Sequence, residues 1–392
     1  IVLTLVKTEM KEGLNSNLKW LLFGLFLAFA YTCLFDFLRS EQYDSASYIS
    51  GTKLLFGIEG GLDVQARISK PLALLFPGVI YTFFGLSIEV SYFIQNLFFF
   101  IGLVYLVYAS YNEVYTNRQF ARHNVWVYYS LPPFAIFSLF VLTDITGWFF
   151  IMLTIFAFGY YKNRILRGKH YLILGLIVGI GALFKESALA GGVFAIVSIF
   201  FFSGSMFEKI SRLILFSIPS LSFLLLGFLI TEYYSGQSLF ARQSGLFENY
   251  GLTRLYSFGN LPQVYRVFDL FWIPICMGLY KRVRKGLSSL DKTMLFSGIL
   301  ILIAIPLAHA DAIHDRILMM SAPFFLYFLP FGTFTRRQQT EMLLVFFAVL
   351  NISAAFIIYR FNTSSVLLLN FLLGLFFYSF LYFKNQKHFT DS

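Results

Sequence analysis

Seven charged side chains stand beside apolar runs in a chain of 392 residues that is only 13% charged: Asp44, Arg67, Lys70, Asp144, Lys185, Glu186 and Arg316. Together they suit the transfer of a group away from a phosphate. A carboxylate within reach of an acceptor's hydroxyl or amine can take its proton. Lysine and arginine stabilise charge that develops on a departing phosphate, and each contact counts for more where water is excluded. Asp44 is the candidate base, with Tyr48 one helical turn further on as a supporting group. The competing role for Asp44 is the N-cap of a short helix, where Asp is favoured. Lys185 and Glu186 stand where two apolar runs meet, in LFKESALAGG. Ionisable groups at that depth are costly and mark function by default. Lys185 is the candidate phosphate ligand, and Glu186 is its partner or the cap of the next helix. The plainer alternative is a turn from which Lys185 reaches the interface.

Asp144 opens a run at Thr143-Asp144 and is the second catalytic candidate: it caps that run, orients the acceptor, or holds Arg67 or Lys185 in place. Arg67 and Lys70 lie just before Pro71 and are candidates for the donor phosphate, against an ordinary flank that grips lipid headgroups. The stretch 309–316, HADAIHDR, is the one cluster of His and Asp. Imidazole with carboxylate suits zinc or manganese, but the spacing matches no standard site. No metal is therefore assigned, and Arg316 is read as a phosphate ligand.

The elements that must position these groups are membrane helices. The chain is 58% hydrophobic with a mean hydropathy of +0.72, whereas soluble domains carry roughly 25% charged residues. The expected fold is an all-α polytopic membrane protein, a single domain over 1–392. Runs long enough to cross a bilayer number about 12–13: 19–36, 71–87, 90–110, 124–142, 145–161, 171–184, 187–203, 213–232, 267–280, 293–309, 317–332, 341–359 and 364–383. The first is read as a retained anchor, since no small-residue cleavage site follows it. The formal charge of +10 comes from Lys and Arg clustered between runs, the pattern of cytoplasmic loops and not of nucleic-acid binding. Cys33 and Cys276 both lie in apolar runs and form no disulfide framework.

Those basic clusters place the 36–70 loop, Asp144, Lys185-Glu186, the 233–266 loop and 309–316 on the outer face. Within the first loop, Tyr48, Thr52, Leu55 and Phe56 recur at helical spacing, which predicts a short amphipathic helix lying on the membrane surface. The second outer loop, 233–266, carries Arg242 among aromatics and glycines; it is either an interfacial loop or a lid contacting a phosphate or the acceptor. One stretch resists assignment. Two runs, 71–87 and 90–110, separate the outer first loop from an inner turn at Arg118 and Arg122, where an odd number of crossings is needed. Either one of them only dips into the membrane or the 111–123 turn lies outside.

The stretch Tyr43-Asp44-Ser45-Ala46-Ser47-Tyr48 followed by Lys53-Leu54-Leu55-Phe56-Gly57 resembles the first external loop of the GT-C membrane glycosyltransferases, in the protein mannosyltransferase and aminoarabinose transferase branch. The similarity continues in order over residues 20–335. Lys70-Pro71-Leu72 resembles the basic-Pro entry to the second span. Leu142-Thr143-Asp144-Ile145, after Pro132-Pro133, resembles the Thr-Asp step. Leu183-Phe184-Lys185-Glu186-Ser187 looks like the Leu-Thr-Lys step, and Asp315-Arg316-Ile317-Leu318 before Pro323 like the late Arg-Pro helix start. The family has two adjacent acids where this chain has Asp44 and Ser45, which leaves Asp44 alone.

The resemblance implies transfer of a sugar from a polyprenyl-phosphate donor to an acceptor on the outer, extracytoplasmic face of the membrane. The expected location is the inner membrane of a prokaryote, with membrane lipids around the protein, no cofactor and no nucleic-acid partner. A single displacement inverts the anomeric centre and needs one carboxylate, whereas retaining glycosidases need two. Two other classes share the composition. A transporter or flippase of lipid-linked saccharides often shows matching broken halves, and no such symmetry is present here. A polysaccharide polymerase or ligase typically has its largest outer loop late in the chain. Acceptor and oligomeric state leave no mark in the sequence.

Overall fold

The computed structural model describes residues 2–37, 44–58, 65–115, 118–164, 166–235, 261–308, 315–333, 337–361 and 366–390. Among these, every regular element is a helix. In chain order the first eleven are α1 (Val2–Leu34), α2 (Ser45–Leu55), α3 (Gln65–Ile68), α4 (Pro71–Phe84), α5 (Ile88–Tyr115), α6 (Arg118–Ser130), α7 (Pro132–Phe137), α8 (Asp144–Lys162), α9 (Gly168–Phe184), α10 (Leu189–Phe202) and α11 (Met206–Ser235). There follow α12 (Leu261–Phe268), α13 (Trp272–Lys285), α14 (Ser289–Ala308), α15 (Asp315–Leu318), α16 (Ala322–Leu326), α17 (Leu329–Gly332), α18 (Arg337–Phe361) and α19 (Val366–Thr390). Five helices are long and apolar enough to cross a membrane: Ile88–Tyr115, Asp144–Lys162, Met206–Tyr234, Arg337–Phe361 and Val366–Phe383. Five shorter apolar helices accompany them. Exposed large apolar side chains line α11, α18 and α19, the surface a lipid solvent selects. The chain is an all-α polytopic membrane protein.

The crossing problem is resolved by α4 and α5. Helix α5 has 28 residues, about 42 Å of rise, which exceeds the roughly 30 Å of a hydrocarbon core. Near its start, the Tyr92 hydroxyl donates to the Tyr48 carbonyl at 3.2 Å, and it shares a hydrogen bond of 2.8 Å with Thr52. At its other end, Asn163 Nδ2 donates to the Glu113 carbonyl at 2.7 Å. Within 71–115, α5 is thus the helix that runs from the end of the bundle near Asp44 to the end near Asn163. Helix α4 has 14 residues, about 21 Å. It starts at Lys70 and hands over to α5 beside Tyr92, so 71–87 does not cross.

Two expected spans are divided at prolines. The run 124–142 is broken because the residue before proline avoids helical geometry: Leu131 is extended (φ −65, ψ 130) ahead of Pro132. Beyond α7 the chain is non-helical as far as Thr143 yet fully buried. Such backbone is tolerated at membrane depth where protein satisfies its polar groups. Asn96 does so here, donating to the carbonyls of Phe140 and of Leu142, the latter at 2.8 Å. The run 317–332 is likewise divided into α15, a 3₁₀ turn over Met319–Ser321, α16 and α17, with Pro323 and Pro330 each opening a helix. Gly332 of α17 lies against α13: a Cβ there would collide with the Pro274 carbonyl, and one at Gly278 with the Phe328 carbonyl. Small residues let two backbones touch in this way.

Helix α2 forms where the spacing predicts one, but its Tyr48 and Thr52 face into the protein, both fully buried. The 48/52/55/56 stripe meets other helices and not lipid, with Phe56 lying over Gly78 of α4.

The α4 assignment has a direct check. In a variant lacking Cys33 and Cys276, single cysteines at Leu86 and Glu113 are expected to react with a membrane-impermeant maleimide from opposite sides of a vesicle. Reaction of both from one side would contradict it.

Candidate functional site

Asp44 precedes α2 in the N-cap position, yet its side chain makes no capping bond. Its Oδ2 instead accepts from Arg67 Nη2 at 2.9 Å and from Arg316 Nη2 at 2.8 Å. Arg316 spans two carboxylates, its Nη1 lying 3.4 Å from Asp144 Oδ2. The other oxygen of Asp144 is 3.3 Å from Lys185 Nζ. Lys185 continues the chain to Glu186 Oε1 at 3.7 Å, and the far oxygen of Glu186 pairs with Lys70. Arg67, Lys70, Lys185 and Arg316 therefore join Asp44, Asp144 and Glu186 in one network.

The local folds explain the convergence. Arg67 lies in the four-residue α3 and Lys70 sits immediately before Pro71, whose ring suits the first helical position. Asp144 begins α8, with Thr143 at the N-cap. Lys185 is extended (φ −158, ψ 130) between α9 and the 3₁₀ turn Glu186–Ala188. This turn is drawn tightly onto α8, since a Cβ on Gly147 would collide with Ser187 Oγ and press Lys185 Cγ at 3.2 Å. Arg316 comes from α15, 272 residues from Asp44.

Tyr48 lies beneath the network. Its hydroxyl oxygen accepts from Lys185 Nζ at 3.1 Å and from Thr143 Oγ1 at 2.8 Å. The Arg67 guanidinium carbon is 4.9 Å from its ring centroid. Thr143, Tyr92 and Asn96, which hold Tyr48 and the non-helical approach to Asp144, carried no charge to single them out in the sequence. Arg242 and the group 309–314 lie outside the described residues. Among the described residues no cluster of His, Cys, Asp and Glu is arranged to hold a metal ion. A separate cavity of about 620 Å³ opens beside Asp36, lined by Thr32, Phe93, Phe356, Tyr359 and Arg360; none of the seven charged groups lines it.

No protein-family model and no curated protein matches the chain. Its architecture does match a solved structure, the crystal structure of ArnT from Cupriavidus metallidurans bound to undecaprenyl phosphate. The TM-score is 0.57, over 93% of this chain and 76% of that one, at 13% identity. The two proteins share a fold. At that identity the likeness carries the architecture, and the chemistry must be argued from the charged network.

Among the described residues, four cations face three carboxylates in this network, a balance suited to an anion. Asp144 is only 3% exposed and is enclosed by its two cations, whereas Asp44 is 34% exposed. Among the described residues, Asp44 Oδ1 has no partner. Burial alone would raise the Asp44 carboxyl; Arg67 and Arg316, with Lys185, outweigh it and hold the group below the usual carboxylate range.

Two outcomes follow from this geometry. Arg316→Met and Asp144→Asn, measured singly and together by thermal unfolding in detergent, are expected to show a coupling of about 1–3 kcal/mol, as residues of one ionic network do; strict additivity would break the bridge. The second concerns acid. A group with a lowered folded value contributes its full stability above its unfolded value of about 3.9 and loses it as pH falls through the folded value. Wild-type stability is expected to hold from neutral pH down to about 4 and to drop below it, with a smaller drop in Asp44→Asn. Equal drops in both proteins would show that Asp44 is not ionised in the fold.

Proposed function

We propose that this protein is a membrane glycosyltransferase that moves a sugar from a polyprenyl-phosphate donor to an acceptor on the extracytoplasmic face, with inversion in a single displacement. The observation that carries the reading is the cation-rich network itself. Segments far apart in the chain deliver four cations and three carboxylates to one end of a membrane bundle, an arrangement that suits an anionic headgroup presented from the bilayer. The shared architecture with a protein crystallised on undecaprenyl phosphate supports the same class of donor.

In this reading Lys185, Lys70, Arg67 and Arg316 hold the donor phosphate and stabilise the charge it gains as the sugar leaves. Asp44 is the base. A carboxylate gripped by two guanidinium groups is a weak base, but a phosphate arriving between Arg67 and Arg316 competes for them and restores basicity to Asp44. Its unpartnered Oδ1 then faces the acceptor's proton. Asp144, enclosed by Lys185 and Arg316, positions those cations, and Glu186 does the same for Lys70. The active side lies outward and the membrane is the inner membrane of a prokaryotic cell.

The test is transfer of labelled sugar from a polyprenyl-phosphate donor in membranes carrying wild type, Asp44→Asn or Lys185→Ala. Asp44→Asn is expected to lower turnover by about 10²–10⁴-fold, the range of a lost general base, with insertion unchanged. Lys185→Ala is expected to reduce both donor affinity and turnover. Undiminished transfer by Asp44→Asn would remove the base assignment. Movement of lipid-linked sugar across the bilayer without any transfer would replace the reading with a transporter.

A further inference from the structure

We infer that Tyr48 is a phenolate in the empty site, and that it takes up a proton when a phosphate group binds. The inference extends the proposed donor-phosphate site.

The hydrogen bonds give the first reason. A neutral tyrosine hydroxyl both donates and accepts. The Tyr48 oxygen accepts from Lys185 Nζ at 3.1 Å and from Thr143 Oγ1 at 2.8 Å, and among the described residues its own proton has no acceptor. The side chain is fully buried, and a buried donor left unmade costs about 1–3 kcal/mol. As a phenolate, the oxygen has only lone pairs, and both donors point at them.

Charge is the second reason. The groups around Tyr48 come from every element packed on it: Asp44 beside its own helix, Arg67 of α3, Lys70 before α4, Tyr92 of α5, Asp144 of α8, Lys185 and Glu186 between α9 and α10, and Arg316 of α15. Three cations lie close to the ring, Arg67 at 4.9 Å, Lys185 at 5.6 Å and Lys70 at 5.9 Å from its centroid. Among the described residues four cations face three carboxylates, in a low-dielectric setting where charge needs a partner. A phenolate at Tyr48 is the fourth anion. Burial alone would raise the Tyr48 hydroxyl; Lys185, then Lys70 and Arg67, outweigh it and hold the group below its ordinary range. When a phosphate occupies the cations it takes over this role. The phenolate oxygen then gains a proton from water, and no other bond is made or broken. Tyr48 thus stands in for the substrate anion while the site is empty.

The experiment is an optical titration of purified full-length protein in detergent, following the near-ultraviolet tyrosinate band. Wild type is expected to show one tyrosinate at neutral pH that Tyr48→Phe lacks, and to lose it saturably as undecaprenyl phosphate is added. Lys185→Met, which removes the nearest cation while keeping Tyr48, is expected to move the titration upward by about one pH unit or more; this keeps the test decisive if Tyr48→Phe fails to fold. Loss of the band with inorganic phosphate but not with the lipid phosphate would support Tyr48 and remove the lipid-donor reading. Absence of the band in wild type at neutral pH would overturn the inference, as would a band that persists with both phosphates present.

Discussion

Arg316 is the tie on which the site depends. Through its two terminal nitrogens it joins Asp44, beside the first short helix, to Asp144 at the head of α8. These contacts span 272 and 172 residues of chain. A charge enclosed by a membrane protein must find a partner or be neutralised, and removing one member of a buried pair is more damaging than never having built it. Arg316, Asp144 and Lys185 therefore hold one another in place. Among the described residues cations outnumber carboxylates in this network, and the proposed role as an anion site builds on that balance.

The opposite end of the bundle is secured in a different manner. Asp291, fully buried at the start of α14, accepts from Arg282 Nε at 3.0 Å, Ser288 Oγ at 2.6 Å and Tyr327 Oη at 2.8 Å. Tyr327 stacks on Tyr115, 5.3 Å between centroids, and Tyr115 donates to the Tyr327 carbonyl. Here the donors around a single buried carboxylate are satisfied within the protein. The two ends use the same chemistry of buried charge.

The charged residues of the site were legible because charge is rare in this chain and the membrane gives each one a reason. Their pairing was not legible. Nothing in the spacing of Asp44 and Arg316 reveals that they touch, nor that Asp44 turns away from its helix cap. Tyr48 was visible as part of a helical stripe, but as one of 24 tyrosines it carried no sign that Lys185 and Thr143 aim at its oxygen. The helical architecture was legible from apolar run length, and it misled in two places where run length hides a break. In 124–142 and 317–332, prolines divide a continuous apolar stretch, and Asn96 makes the first break tolerable from another helix. The ambiguity over 71–123 came from the same source: hydropathy does not distinguish a helix that crosses from one that turns back after about 21 Å.

The most direct test of the central claim is equilibrium binding of radiolabelled undecaprenyl phosphate to the purified protein. Wild type is predicted to bind saturably, with Lys185→Ala and Arg316→Ala each weakening affinity by at least about tenfold, or ~1.4 kcal/mol. Arg284→Ala, an exposed cation on α13 outside the network, is predicted to bind as wild type does. Absence of saturable binding, or equal losses in all three variants, would contradict the assignment of this network as the site of the lipid phosphate.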